Sequence, residues 1–251
     1  MRILLTNDDG INAPGLKVLE AIARAMSNDV WVCAPAEEQS GAGHSLTLHH
    51  PVRLREHGEK RFSVTGTPTD SVNLALRKLF EDRMPDLVLS GVNAGQNLGD
   101  DITYSGTISA AMEAALAGIP AIGLSQAYSK TVKTFEAAEQ WGAKVLAPLI
   151  DVQMAKRTLV NVNFPARPAA DVKGIRVVRQ GFHDYARGSL VEGTDPRGRN
   201  YYWFGLQAAE HTLDHGTDLE AVDDGYIAVT PLQLDLTHHS AIDALASRYD
   251  A

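Results

Sequence analysis

Asp8 and Asp9 stand side by side after an uninterrupted apolar run, Ile3-Leu4-Leu5, and Gly10 follows them at once. Two neighbouring carboxylates repel each other, so a site that keeps both supplies a cation, a proton or solvent. Three further segments carry groups of the same hard character. Ser40 lies in a loop of small residues, Asn93 and Asn97 in a glycine- and amide-rich loop, and Ser105-Gly106-Thr107 opens a helical pattern. Ligation by oxygen alone suits a hard divalent ion such as Mg²⁺ or Mn²⁺ and argues against zinc. Asp8 and Asp9 would neutralise one dication, and Ser40 and Asn93 would add neutral coordination, with positions left for water and a phosphate oxygen. A helix N-terminus binds phosphate through its free N–H groups and its dipole. Each segment alone also has a plainer reading: Asp8-Asp9-Gly10 as a solvated turn, residues 36–45 as a surface loop, Ser105 as an ordinary helix cap.

The elements that position these residues follow from pattern. Ile3 to Leu5 reads as a buried strand ended by a turn signal. Pro14 opens a helix with Leu16, Leu19, Ile22, Ala23 and Met26 on one face, and Asp29 to Ala34 is a second buried strand stopped by Pro35. Leu46 to Val64 alternates around His57-Gly58-Glu59-Lys60 as a β-hairpin would. Thr67, Pro68 and Asp70 have the spacing of a capped helix start. Further strands are expected at Asp86–Val92, Ala121–Ser125 and Thr158–Asn163, and further helices after Tyr104 and over Thr131–Leu149. Repeated β-then-α order predicts an α/β fold, a Rossmann-like doubly wound and mostly parallel sheet. In such sheets ligands bind beyond the carboxyl ends of the strands, where all four segments fall.

From Ala166 the pattern changes. Residues 1–165 read as a Rossmann-like core, and 166–251 as a C-terminal segment with a β-arm and a closing helix over His239–Tyr249. Gly174–Arg179 and Gly225–Leu236 read as strands, while Gln180–Gln207 has no helical period. Tyr201-Tyr202-Trp203-Phe204 puts four aromatics in a stretch with little core of its own. They are to be buried either internally or on a neighbouring subunit.

The 31 acidic and 23 basic side chains give a net charge of −8, which lacks the basic footprint that nucleic-acid polymers require. Cys33 is the only cysteine, so neither an intrachain disulfide nor a cysteine zinc site can form. No apolar run approaches membrane length and no signal-peptide pattern precedes the first strand, so a cytoplasmic setting is expected.

Taken together and in order, these motifs carry a resemblance that runs essentially from end to end. The segments are Ile3 to Gly10, Gln39-Ser40-Gly41, Gly66-Thr67-Pro68-Thr69-Asp70, Ser90 to Gly99, Tyr104-Ser105-Gly106-Thr107 and Gly225 to Leu232. The chain resembles the SurE (survival protein E) family of metal-dependent nucleotidases. The resemblance implies one Mg²⁺ or Mn²⁺ per subunit held by Asp8, Asp9, Ser40 and Asn93, with Asn97, Ser105, Gly106 and Thr107 close to the substrate phosphate. It implies hydrolysis of nucleoside 5′- and 3′-monophosphates, with short polyphosphate as a further substrate in some members. It also implies a homodimer or homotetramer formed by exchange of C-terminal arms. Attack by water with Asp8 as base, and a covalent aspartyl-phosphate at Asp8, both remain open.

Among the other polar residues, His44 is the one histidine in a site loop and reads first as solvated. Asp100 and Asp101 read as loop hydrogen-bonding groups rather than ligands, and Arg197 and Arg199 as residues of a solvated turn. Three other classes compete. A phosphoacceptor signalling module would need an acidic acceptor where Asn93 stands. A dinucleotide-binding oxidoreductase would need a Gly-x-Gly-x-x-Gly turn where Asn7-Asp8-Asp9-Gly10 stands. An oligomeric scaffold built on the arm would release no phosphate.

Overall fold

The apolar run behind Asp8 is strand β1 (Arg2–Thr6), whose Ile3, Leu4 and Leu5 are wholly buried. The computed structural model describes residues 1–129, 132–183, 190–204 and 216–249. From β1 the chain passes through α1 (Pro14–Met26), β2 (Asp29–Pro35), β3 (Leu54–Gly58), β4 (Arg61–Val64) and α2 (Pro68–Lys78). It continues through β5 (Leu87–Ala94), α3 (Gly106–Leu116), β6 (Ala121–Gln126), α4 (Glu136–Leu146) and β7 (Thr158–Phe164). Then come β8 (Ile175–Val177), β9 (Leu190–Thr194), β10 (Asn200–Phe204), α5 (Asp218–Asp223), β11 (Ile227–Gln233) and α6 (Ile242–Ala246).

Among the described residues nine strands form one sheet in the order β3-β4-β2-β1-β5-β6-β7-β11-β8. From β4 to β7 every pairing is parallel, while β3 and β11 run antiparallel to β4 and β7. The expected doubly wound α/β sheet is therefore present. Its direction of winding reverses between β1 and β5, which makes their carboxyl ends the switch point at which such sheets bind ligands. The segment beyond residue 166 extends the same sheet: β11 pairs with β7 and β8 with β11.

The core lies on both faces. Leu16, Leu19 and Ile22 of α1 and Ala138 and Val145 of α4 pack with Leu5, Leu89, Leu124 and Val162. Val72, Ala75 and Leu76 of α2 and Ile108 and Ala111 of α3 pack with Leu4, Val88 and Leu159 on the other face. Alternate strand residues thus serve opposite helix layers. At Gly15 an added Cβ would stand 1.9 Å from the Val92 carbonyl, so only glycine lets α1 approach β5 this closely.

Several elements differ from the pattern-based expectation at their ends. The hairpin is confined to β3 and β4, because Thr47 and Arg53 give their N–H groups to the side chains of Asp70 and Thr65 rather than to a ladder. The helix expected over Thr131–Leu149 begins at Glu136 and gives way to a 3₁₀ turn at Ala147–Leu149, where Pro148 lacks the N–H that an α-helix would use. Thr131 lies outside the described residues. The closing helix is α6 alone, preceded by a 3₁₀ turn at His239–Ala241. Thr67 caps α2 as expected, in a reciprocal capping box with Asp70.

Strands β9 and β10 form a separate antiparallel hairpin outside the main sheet. Its aromatics are open in the single chain, with Trp203 68% and Phe204 89% exposed. Among the described residues no helix is long and apolar enough to cross a membrane.

Candidate active site

Asp8 lies just past β1 and is only 4% exposed. Three elements converge on it. The hydroxyl of Thr107, itself fully buried, donates to Asp8 Oδ1. The Gln39 N–H donates to the Asp8 carbonyl at 2.8 Å, which ties the Ser40 loop to β1. At Gly106, the first residue of α3, an added Cβ would be 2.7 Å from Asp8 Cβ. Glycine there allows the helix N-terminus to meet the carboxylate directly. Ser105 caps the same helix, its Oγ accepting from Ile108 N at 3.1 Å.

Burial pushes the Asp8 carboxyl up to about 6, against the pull of the Thr107 hydroxyl and with the Asp9 charge raising it further. Asp9 is raised as well, by burial first, with the Ala94 N–H opposing and the Glu38 charge adding to the rise. That N–H, at the end of β5, lies 3.2 Å from Asp9 Oδ2 and joins the two strands at the switch point. Among the described residues, the charges that act on the pair are therefore themselves acidic. Asn7 Oδ1, immediately before the pair, is buried without a hydrogen-bond partner among the described residues.

Asn93 is half-buried near the end of β5, and its Nδ2 donates to Gly95 O at 2.9 Å, leaving the amide oxygen uncommitted by that bond. Ser40 is exposed and its hydroxyl donates to Glu38 Oε1 at 2.8 Å. Asp8, Gly106 and Thr107 are thus in direct contact, Asp9 reaches the strand of Asn93, and Ser40 is linked through its loop backbone. Asn97 sits farther along the sheet, held over β6 and β7 by Ser125 and Asn163.

This set fits a hard dication. Two desolvated carboxylates, a hydroxyl and an amide oxygen are all oxygen donors, and among the described residues no cationic side chain balances the pair. Among the described residues no three His, Cys, Asp or Glu side chains group as metal ligands. An ion here would rely on two carboxylates and neutral oxygens.

Pattern reading missed several neighbours. Glu38, in the stretch whose plainer reading was a surface loop, accepts from the Ser40 hydroxyl and its charge acts on Asp9. His44 is not simply solvated: its Nε2 lies 3.2 Å from Glu113 Oε2, and Asn73 Nδ2 donates to the other Glu113 oxygen at 2.6 Å. That contact fastens the Ser40 loop to α3. Asp100 and Asp101, by contrast, are the hydrogen-bonding groups expected: both bond to His183, through its N–H and its ring respectively. Apart from the Glu38–Ser40 bond, these links join residues many positions apart and so have no local sequence signal.

A doubly wound sheet that sets a carboxylate pair against a helix N-terminus at its switch point defines a class of α/β proteins suited to a metal ion and a phosphate. Within that class, the family model described as "Survival protein SurE" matches residues 3–187, and the chain belongs to this family. A relative from Erythrobacter litoralis named 5′-nucleotidase SurE is 68% identical over 252 residues, covering 100% of both chains. One of the same name from Caulobacter vibrioides is 50% identical, covering 98% of this chain and 95% of its own. The crystal structure of the Sure protein from Aquifex aeolicus superposes with a TM-score of 0.86 at 38% identity, covering 100% of both chains.

Proposed function

We propose that the chain is a divalent-metal-dependent phosphomonoesterase that converts nucleoside 5′-monophosphates, and also 3′-monophosphates, to nucleoside and phosphate. Short-chain polyphosphate is a further substrate of the same site. The relatives named 5′-nucleotidase support the 5′ activity. The observation that carries the reading is the buried Asp8–Asp9 pair meeting the first residues of α3 at the switch point.

Asp8, Asp9, Ser40 and Asn93 would hold one Mg²⁺ or Mn²⁺ per subunit. When bound, such an ion supplies Lewis acidity, polarising a phosphoryl oxygen and lowering the pKa of bound water. The chain's own residues do the rest. Thr107 fixes the rotamer of Asp8, so that one carboxylate oxygen is engaged by the hydroxyl and the other is left for the reaction. The N–H groups at the start of α3, with Ser105, Gly106 and Thr107, receive the phosphate, and Asn97 adds an amide from the side of β6 and β7. These donors are fixed before substrate arrives, so stabilisation of the developing charge needs little reorganisation. Asp8 acts as base toward water or as nucleophile. Trapping a phosphorylated Asp8 by rapid quench distinguishes the two.

Exposure of Trp203 and Phe204 supports the hairpin as an arm that a second subunit covers, in a dimer or tetramer. The net charge of −8 supports neither a nucleic-acid polymer nor an anionic membrane surface as partner, and a cytoplasmic setting suits the single buried thiol. The test is a phosphate-release screen over nucleoside 5′- and 3′-monophosphates and short polyphosphates, with Mg²⁺, with Mn²⁺ and with chelator. Release from the nucleotides that chelator abolishes is expected. Absence of turnover under every condition returns the arm-based scaffold to the front.

A further inference from the structure

Asn97 is gripped by a buried set of side chains that neither the motifs nor the candidate ligands include. Its backbone N–H donates to Asn163 Oδ1 at 2.8 Å. Its carbonyl accepts from Asn161 Nδ2 at 2.8 Å and from Asn163 Nδ2 at 3.0 Å. Its own Nδ2 donates to Ser125 Oγ at 2.8 Å. Asn163 Nδ2 also donates to Asn161 Oδ1 at 3.0 Å, which closes the network. Reversing the Asn163 amide would oppose donor to donor at Asn97 N, so the bonds themselves assign its orientation. Ser125, Asn161 and Asn163 are all 0% exposed.

Polar groups this deep cost free energy relative to apolar ones even when well bonded. Their placement along the strand is informative. On β7, Leu159 packs into the core beneath α3, and Asn161 and Asn163 follow at spacings of two on the same face. The face turns from apolar to amide toward the carboxyl end, the end where ligands bind. Register carries the change across the sheet: Asn93 pairs with Ser125, and Ser125 with Asn163. One polar row thus runs from a candidate metal ligand to the grip on Asn97.

We infer that Ser125, Asn161 and Asn163 are positioning residues that aim Asn97 at the substrate phosphate. The inference rests on the functional reading above, in which Asn97 meets that phosphate. Three anchors on one residue fix both flanking peptide groups and the side chain together. The Asn97 amide is planar with two N–H donors. Ser125 holds one of them, which sets the direction of the other. No part of the set touches the reacting atoms; it acts through Asn97.

The test is a double-mutant cycle read by inorganic phosphate binding (calorimetry) and by the KM and kcat for a nucleoside 5′-monophosphate. Ser125→Ala removes the hydroxyl with the smallest change in packing. It is expected to weaken phosphate binding and lower kcat/KM by roughly 10- to 100-fold, the scale of a misplaced contact group, while the metal concentration for half-activation stays within about twofold. Ser125→Thr, which keeps the hydroxyl, is expected to restore most of the loss. In an Asn97→Ala background, Ser125→Ala should add less than about twofold, because the group it aims is gone. Asn163→Asp is expected to behave like Ser125→Ala, and a melting temperature for each variant separates misfolding from misaiming. Ser125→Ala indistinguishable from an active wild type overturns the inference. So does an equal loss with and without the Asn97 side chain. A wild type that neither binds phosphate nor turns over nucleotide overturns the functional reading, and the inference with it.

Discussion

Replacing Asp8 with Asn should make the metal-free protein more stable while destroying its chemistry. Burial raises the Asp8 carboxyl from 3.8 to about 6. An acid with a raised folded-state pKa binds its proton more tightly folded than unfolded. Its contribution to stability is therefore complete below 3.8 and is lost as pH rises through about 6. The gap of roughly 2 pH units, at about 1.4 kcal/mol each, amounts to about 3 kcal/mol at neutral pH. Asn cannot ionise, fills the same volume and keeps an oxygen for the Thr107 hydroxyl. In chelator at about pH 7.5, urea denaturation should show Asp8→Asn more stable than wild type by as much as about 3 kcal/mol. Near pH 3.5, where both side chains are neutral, the gap should fall to roughly zero. Saturating Mg²⁺ or Mn²⁺ should stabilise the wild type by mass action and leave the variant almost unmoved. A variant less stable than wild type in chelator at neutral pH, or a gap that persists in acid, would refute the desolvation argument.

Three further outcomes are expected. Thr107→Val keeps shape but removes the donor to Asp8; a hydrogen bond to a buried charge is worth about 1.5–3 kcal/mol, so kcat/KM should fall roughly 10- to 100-fold and the melting temperature should drop by roughly 3–12 °C. Asp29 is held down to about 2 chiefly by its hydrogen bond from Lys60, with Arg2 and the Trp31 indole helping. Its stabilisation is present above its ordinary carboxylate pKa and is lost as pH falls through about 2. Asp29→Asn should accordingly melt earlier than wild type at neutral pH, with the difference closing in strong acid. Trp203→Asp on the exposed hairpin should shift the protein to a smaller species in light scattering, and an unchanged mass would remove the arm from the assembly.

Much of the fold was legible because burial on both faces leaves continuous apolar runs at β1, β2 and β5, and because Thr67 and Asp70 mark a helix start by local chemistry. Element ends were less so. Phe135 stands at the N-cap of α4 with no side-chain bond to mark the start, and residues 46–53 alternate like a strand while bonding to side chains. The pairing of β11 between β7 and β8 depends on long-range contacts that no local window contains. At the site, Asp8, Asp9 and the α3 N-terminus were readable because their position follows from strand-then-turn order. The grip on Asn97 was not. Asn161 and Asn163 look like the polar half of an alternating strand, and their partner lies 64 and 66 residues away.

The most direct test of the central claim is steady-state phosphate release from a nucleoside 5′-monophosphate by wild type and Asp9→Asn, each titrated with Mn²⁺ from the chelated state. Expected are no release by wild type in chelator, saturable activation as Mn²⁺ is restored, and loss of at least about a thousandfold in the variant at any Mn²⁺ concentration. Full wild-type activity in chelator, or an Asp9→Asn enzyme that matches wild type, would contradict the claim.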